Sequence, residues 1–131
     1  MRALASRAVI AAAVLAAVVS ASCAAAMRPS VPSVPAMTPA GVRFELLRPG
    51  ARSVALAGSF NRWSTASHPL TRVGPRGLWS IVVALPPGEH LFMYVVDDAE
   101  WISPPLAEDY SDDGFGAKNG VVVVQGVHGA R

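Results

Sequence analysis

A single cysteine, Cys23, stands in this 131-residue chain. No disulfide within the chain is open to it, so the folded part must stand on its core. Cys23 lies among alanine and serine with no His or Lys nearby to lower its pKa, which argues against a catalytic thiol. Helical signal is missing too: no run of ten residues free of Gly and Pro carries a 3.6 period. Charge is scarce at 15% of residues. Of the 11 basic residues, Arg2 and Arg7 precede an uncharged stretch, and the nine beyond it face 9 acids. That balance lacks the clustered cations of a phosphate-tracking groove, so no nucleic-acid partner is expected. His68, His90 and His128 show no ligand spacing, and no carboxylate pair or nucleophile stands beside a recognisable base. Neither a metal, a cofactor nor catalysis is expected.

Present instead is an N-terminal apolar block. Residues 8–27 carry no charge, Ala8 to Val19 is Ala, Val, Ile and Leu throughout, and Arg2 and Arg7 supply a basic start. This is the layout of an export signal, and residues 1–26 read as a signal peptide or membrane anchor. Three outcomes stay open. Ser20-Ala21-Ser22-Cys23 resembles a bacterial lipobox with Cys23 as the lipidated residue, although Ser20 stands where Leu is usual. Ala24-Ala25-Ala26 suits a simple cut, and the whole block has about the length of an uncleaved span. Each puts the folded part outside the cytoplasm, in a bacterial cell envelope or secreted, with membrane contact only through this segment.

Residues 27–41 hold Pro29, Pro32, Pro35 and Pro39 and read as an extended, semi-rigid linker. From Val42 the apolar period becomes two. Expected strands are Val42 to Leu47, Ser53 to Ala57, Leu70 to Val73, Leu78 to Leu85, His90 to Val96, a short one at Trp101 and Ile102, and Val121 to Gln125. Pro49-Gly50, Gly74-Pro75-Arg76-Gly77, Pro86-Pro87-Gly88 and Asp97-Asp98 supply the turns. About seven short strands at this spacing predict an all-β, immunoglobulin-like antiparallel β-sandwich over residues 42–125, followed by a tail at 126–131. Trp79 shares a face with Ile81, Val83 and Leu85 and belongs to the core. Trp63 and Trp101 lie outside any apolar alternation.

The run from Val54 through Gly58-Ser59-Phe60-Asn61-Arg62-Trp63, then Pro69-Leu70, resembles the opening of the glycogen-binding domain of the AMP-activated protein kinase β subunit. This is the carbohydrate-binding module family 48 type, related to the N-terminal domains of isoamylases and branching enzymes. The likeness continues in order through Leu78-Trp79, Leu85 to His90, Tyr94 to Asp97, Trp101 and Phe115-Gly116-Ala117-Lys118-Asn119. It implies non-catalytic binding of α-1,4-glucan such as glycogen, starch or maltooligosaccharide. It also implies roles: Trp63 and Trp101 as stacking rings, Asn119 as the hydroxyl-binding amide, and Phe115 as the apolar residue that inserts into the glucan's curve. The chemistry fits, since a glucose ring offers a C–H face for an aromatic plane and a rim of hydroxyls for amides. For Asn119 the alternative is a turn residue in Lys118-Asn119-Gly120, and for Phe115 a plug at the end of the sandwich.

Two positions depart from the kinase-type pattern. Met93 stands where a lysine is usual and offers apolar contact without a donor, and Ala117 stands where a hydroxyl residue is usual. The polar half of the site is therefore depleted; Arg62 and Lys118 are the nearby cations, and nothing in the sequence sets their direction. The rival reading is a protein-interaction module, in which Trp63, Trp101, Met93 and Phe115 form an apolar docking patch for a carbohydrate-active enzyme or another envelope protein.

Overall fold

The structure, a computed structural model, describes residues 32–126. Cys23, the apolar block and His128 lie outside the described residues.

Among the described residues there are nine strands. They are β1 (Ala36–Thr38), β2 (Gly41–Leu47), β3 (Val54–Gly58), β4 (Thr71–Val73), β5 (Leu78–Val83), β6 (Gly88–Val96), β7 (Glu100–Ile102), β8 (Asp109–Asp112) and β9 (Lys118–Val124). They form two antiparallel sheets, β1-β2-β5-β4 and β3-β6-β9-β8, with β7 added against β6. The architecture is the all-β sandwich expected from the period-two pattern.

Each sheet turns one face inward. Val42, Phe44 and Leu46 of β2 meet Leu56 of β3, Phe92, Tyr94 and Val96 of β6, and Val122 and Val124 of β9 in one buried cluster. Phe44 and Phe92 pack edge to face at the centre, 4.9 Å between ring centroids and 67° between planes, a geometry that the ring quadrupole favours. One polar tie joins the two layers. Tyr94 donates its hydroxyl to the Glu45 carbonyl across the sandwich at 3.0 Å, and burial, then the Glu45 carboxylate, pushes its pKa far above the ordinary phenol value. Trp79 lies in the core as expected, and its indole N–H donates to the Arg48 carbonyl at 3.1 Å.

Four details differ from the sequence expectation. The proline-rich segment is not free to Gly41: Ala36 to Thr38 pair with Gly41 to Arg43, and Pro35 is buried. Prolines at 35 and 39 bracket three residues that keep their N–H groups, enough for a short edge strand. The stretch between Ile102 and Val121, where no strand is expected from the sequence, contains β8, whose Asp-Tyr-Ser-Asp sequence is polar on both faces of a sheet edge and so shows no alternation. The last strand begins at Lys118 rather than Val121, so Asn119 is a strand residue opposite Ser111 and not a turn residue. Leu85 lies beyond the end of β5 but still packs on the core.

These contacts predict unequal losses. In urea unfolding Phe44→Ala should cost about 4 kcal/mol, because it opens a cavity between the sheets. Tyr94→Phe should cost about 1 kcal/mol for the lost cross-sheet hydrogen bond. Equal losses would contradict the packing described.

Candidate functional site

The site follows from the parity of β6. Its inward residues fill the core, so Met93 and Val95 between them face outward, opposite Ala57 and Ala55 of β3 in the register. Val95 also faces Trp101 of β7. On its other edge β6 pairs with β9 from Gly88 to Phe92 and with β7 from Tyr94 to Val96, so these two strands meet end to end. Lys118 N–H donates to Ser103 Oγ at 3.1 Å and ties that junction together. Gly120 faces inward there; a β-carbon would come within 2.7 Å of both the Phe92 and Pro104 rings. Alternation then turns Asn119 outward, onto the face that carries Met93 and Trp101.

Trp63 reaches this face from a loop. The short 3-10 helix Ser59–Asn61 leaves β3, and Arg62 and Trp63 both take left-handed backbone angles, φ 59° and 58°. For a bulky residue that conformation is costly and needs support. Asn61 supplies it. Its Oδ1 accepts from the backbone N–H groups of Gly58 at 3.0 Å and Ser64 at 3.2 Å, and its Nδ2 donates to the Leu56 carbonyl at 3.1 Å. The two backbone donors identify the oxygen end of the carboxamide, so Nδ2 also donates to Nδ1 of His68 at 2.9 Å. Trp63 N–H closes the loop on the Gly58 carbonyl at 2.9 Å. Gly58 itself admits no side chain, since a β-carbon would collide with the Leu91 carbonyl and the Phe60 ring. The Trp63 ring packs on Ala55, Ala57 and Val95, small residues that leave room for it on an outer sheet face.

The opposite wall is the β8–β9 hairpin. Asp113 Oδ1 accepts from the N–H of Phe115 at 2.6 Å and of Ala117 at 3.1 Å, and Asp113 N–H donates to the Ala117 carbonyl at 3.1 Å. This holds Phe115 out in solvent, 93% exposed, so it does not plug the sandwich end. Trp101 is fixed by the β6–β7 turn, where Asp97 and Asp98 take φ 53° and 62°. The Asp97 carboxylate accepts from the N–H of Arg52 at 2.7 Å and of Ser53 at 3.0 Å, and these two bonds hold its pKa below the ordinary carboxylate value.

Together these elements enclose a concavity of about 580 Å³ lined by Trp63, Met93, Trp101, Asp113, Phe115, Ala117 and Asn119. All five residues that the sequence nominated are brought into it. Met93 is buried at its floor, while Trp101 is 46% exposed at its side. Asn119 is only 8% exposed, and among the described residues its carboxamide has no hydrogen-bond partner. Arg62 and Lys118 do not line it; Lys118 instead lies 3.8 Å from Asp112. Sequence reasoning missed Asp113 and Asn61. The signal for Asp113 was Asp-Gly-Phe-Gly, an Asx-turn pattern; for Asn61 there was none beyond its place before a tryptophan. Among the described residues no three His, Cys, Asp or Glu side chains gather as a metal site.

Comparison with known proteins bears on this face. The family model for the glycogen recognition site of AMP-activated protein kinase matches residues 42–128. The chain is similar to the 1,4-alpha-glucan branching enzyme of Bacillus caldolyticus, 45% identical over 56 residues that make up 43% of this chain and 8% of that enzyme. It is also similar to the branching enzyme of Pseudomonas syringae pv. syringae, 43% identical over 65 residues, 49% of this chain and 9% of that enzyme. The chain thus spans less than a tenth of the length of these two relatives.

Two outcomes follow from the geometry. Asn61→Ala should lower stability by about 1–3 kcal/mol, because it strands several backbone groups, and should shift the Trp63 indole resonance; an unmoved indole would refute the supporting role. Asp97 bears on pH. Its folded pKa lies below the unfolded value near about 4, so its stabilisation is complete above that value and is lost as pH falls through the folded one. Wild type should exceed Asp97→Asn in urea midpoint at neutral pH, and the gap should close in acid. A constant gap down to about pH 2 would contradict this.

Proposed function

The chain belongs to the family of the glycogen recognition site of AMP-activated protein kinase, and from that premise we propose that its concavity binds neutral α-1,4-glucan without chemical change. Glucan binding in general comes with the family; the particular residues and ligand are this proposal. Trp63 and Trp101 stack on the C–H faces of glucose units, Met93 forms an apolar floor, Phe115 enters the curve of the glucan, and Asn119 exchanges hydrogen bonds with hydroxyls.

The observation that carries the reading is Asn119. A carboxamide without a protein partner costs on the order of 1–3 kcal/mol if a ligand that covers the concavity leaves it unpaired. A ligand hydroxyl that both donates and accepts would repay that cost, and an apolar docking partner would not. The branching enzymes to which the chain is similar are named for 1,4-alpha-glucan, which supports the same ligand class. With one amide and three aromatic rings, affinity should be modest, a Kd on the order of 0.1 mM or about 5.5 kcal/mol. The basic start and apolar block within residues 1–26 support delivery of this module outside the cytoplasm, anchored through a lipidated Cys23, released, or held by the uncleaved segment.

Affinity electrophoresis through gels with and without glycogen tests the function. The protein should be retarded by the polysaccharide, and the double variant Trp63→Ala, Trp101→Ala should run freely. Unretarded wild type at high polysaccharide would sink the proposal and turn the search toward a protein partner for the same face. The N-terminus has a separate check, mass spectrometry of the mature chain: a diacylglycerol-modified Cys23 at its start supports anchoring, and a start at Met27 refutes it.

A further inference from the structure

Of the seven residues lining the concavity, only Asn119 and Asp113 bring side-chain oxygens, and Asp113 alone carries a charge. Its two oxygens are used unequally. Oδ1 is saturated by the N–H groups of Phe115 and Ala117. Among the described residues Oδ2 accepts no hydrogen bond, and Asp113 forms no ion pair. The adjacent Asp112 is the one with Lys118 within reach, at 3.8 Å. A turn of this kind needs a single oxygen, so an asparagine would close it equally well. The second oxygen is thus a surplus acceptor, held by the first on a residue that lines the concavity together with Trp63 and Trp101. Asn119, buried without a partner on the same concavity, marks independently where a polar ligand would be met.

We infer that Asp113 determines specificity: its free oxygen accepts a glucan hydroxyl in place of the polar contacts that Met93 and Ala117 do not make, and its charge turns away anionic glucans. This rests on the proposed function. A carboxylate accepts only, so it suits the hydroxyl donors of an uncharged sugar, and its hydrogen bonds are about twice as strong as neutral ones. Toward a phosphorylated maltooligosaccharide the same charge is repulsive. A sugar stacked on the Trp63 and Trp101 rings of the same concavity displaces water, which strengthens both effects. Phosphate-bearing glucose units should therefore be held outside the concavity while neutral stretches of the same polymer enter it.

Isothermal titration of the full chain with maltoheptaose and with a phosphorylated maltooligosaccharide of the same length tests this. Asp113→Asn keeps the acceptor that Phe115 and Ala117 need, so thermal unfolding should be unchanged and the Phe115 amide resonance should stay in place. Maltoheptaose should bind this variant about tenfold more weakly than it binds wild type. Wild type should prefer the neutral ligand at low salt, and the preference should shrink with added salt and in Asp113→Asn. Asp113→Glu, which keeps the charge, should retain the preference while losing neutral affinity. If wild type binds maltoheptaose and Asp113→Asn binds it within about twofold as well, the inference is overturned and the glucan reading stands. If wild type binds neither ligand, the glucan reading falls and this inference with it.

Discussion

The register of one strand, β6, governs both the core and the outer face. It pairs with β3 on one edge and with β9 and then β7 on the other, so its pleat is shared by every neighbour. Because side chains alternate with period two, a slip of one residue would exchange the two faces. Phe92, Tyr94 and Val96 would leave the core for solvent, and Met93 and Val95 would carry the floor of the concavity inward. The contacts that hold the register are the buried ones, above all Phe44 against Phe92 and the Tyr94 hydroxyl on the Glu45 carbonyl. Core stability and site geometry therefore have one origin.

On that scaffold, two asparagines divide the polar work. Asn61 spends its carboxamide within the protein, on two backbone donors, one carbonyl and one histidine ring. It holds two successive left-handed residues and thereby aims Trp63. Asn119 makes no side-chain hydrogen bond within the described residues, although it is largely buried at the edge of the concavity. A folded chain tolerates few such groups. The first amide belongs to the architecture, and the second is the one we propose for the ligand.

Much of this was legible in the sequence, and the misses share a cause. Apolar period-two runs bounded by turn residues revealed β2, β3, β5 and β6, and alternation along β5 assigned Trp79 to the core. It could not find β8, whose residues are polar on both faces, nor β1, whose three residues lie between prolines. It began β9 late because Lys118 and Asn119 are polar, yet Asn119 faces outward where a polar residue is allowed. The five residues nominated for the site came from resemblance to a family motif, since spacing alone does not say that positions 63, 93, 101, 115 and 119 converge. Asp113 escaped because its role depends on hydrogen bonds to Phe115 and Ala117 that only the folded hairpin displays.

The central claim is that an outer sheet face, set by β6 and completed by two loops, receives sugar through a buried amide between aromatic rings. It is tested most directly by following side-chain resonances during titration with maltoheptaose. The account predicts that the Asn119 carboxamide and the Trp63 and Trp101 indole N–H signals shift together along one saturation curve while the Asn61 carboxamide stays in place. Saturable shifts elsewhere on the protein with Asn119 unmoved would contradict it.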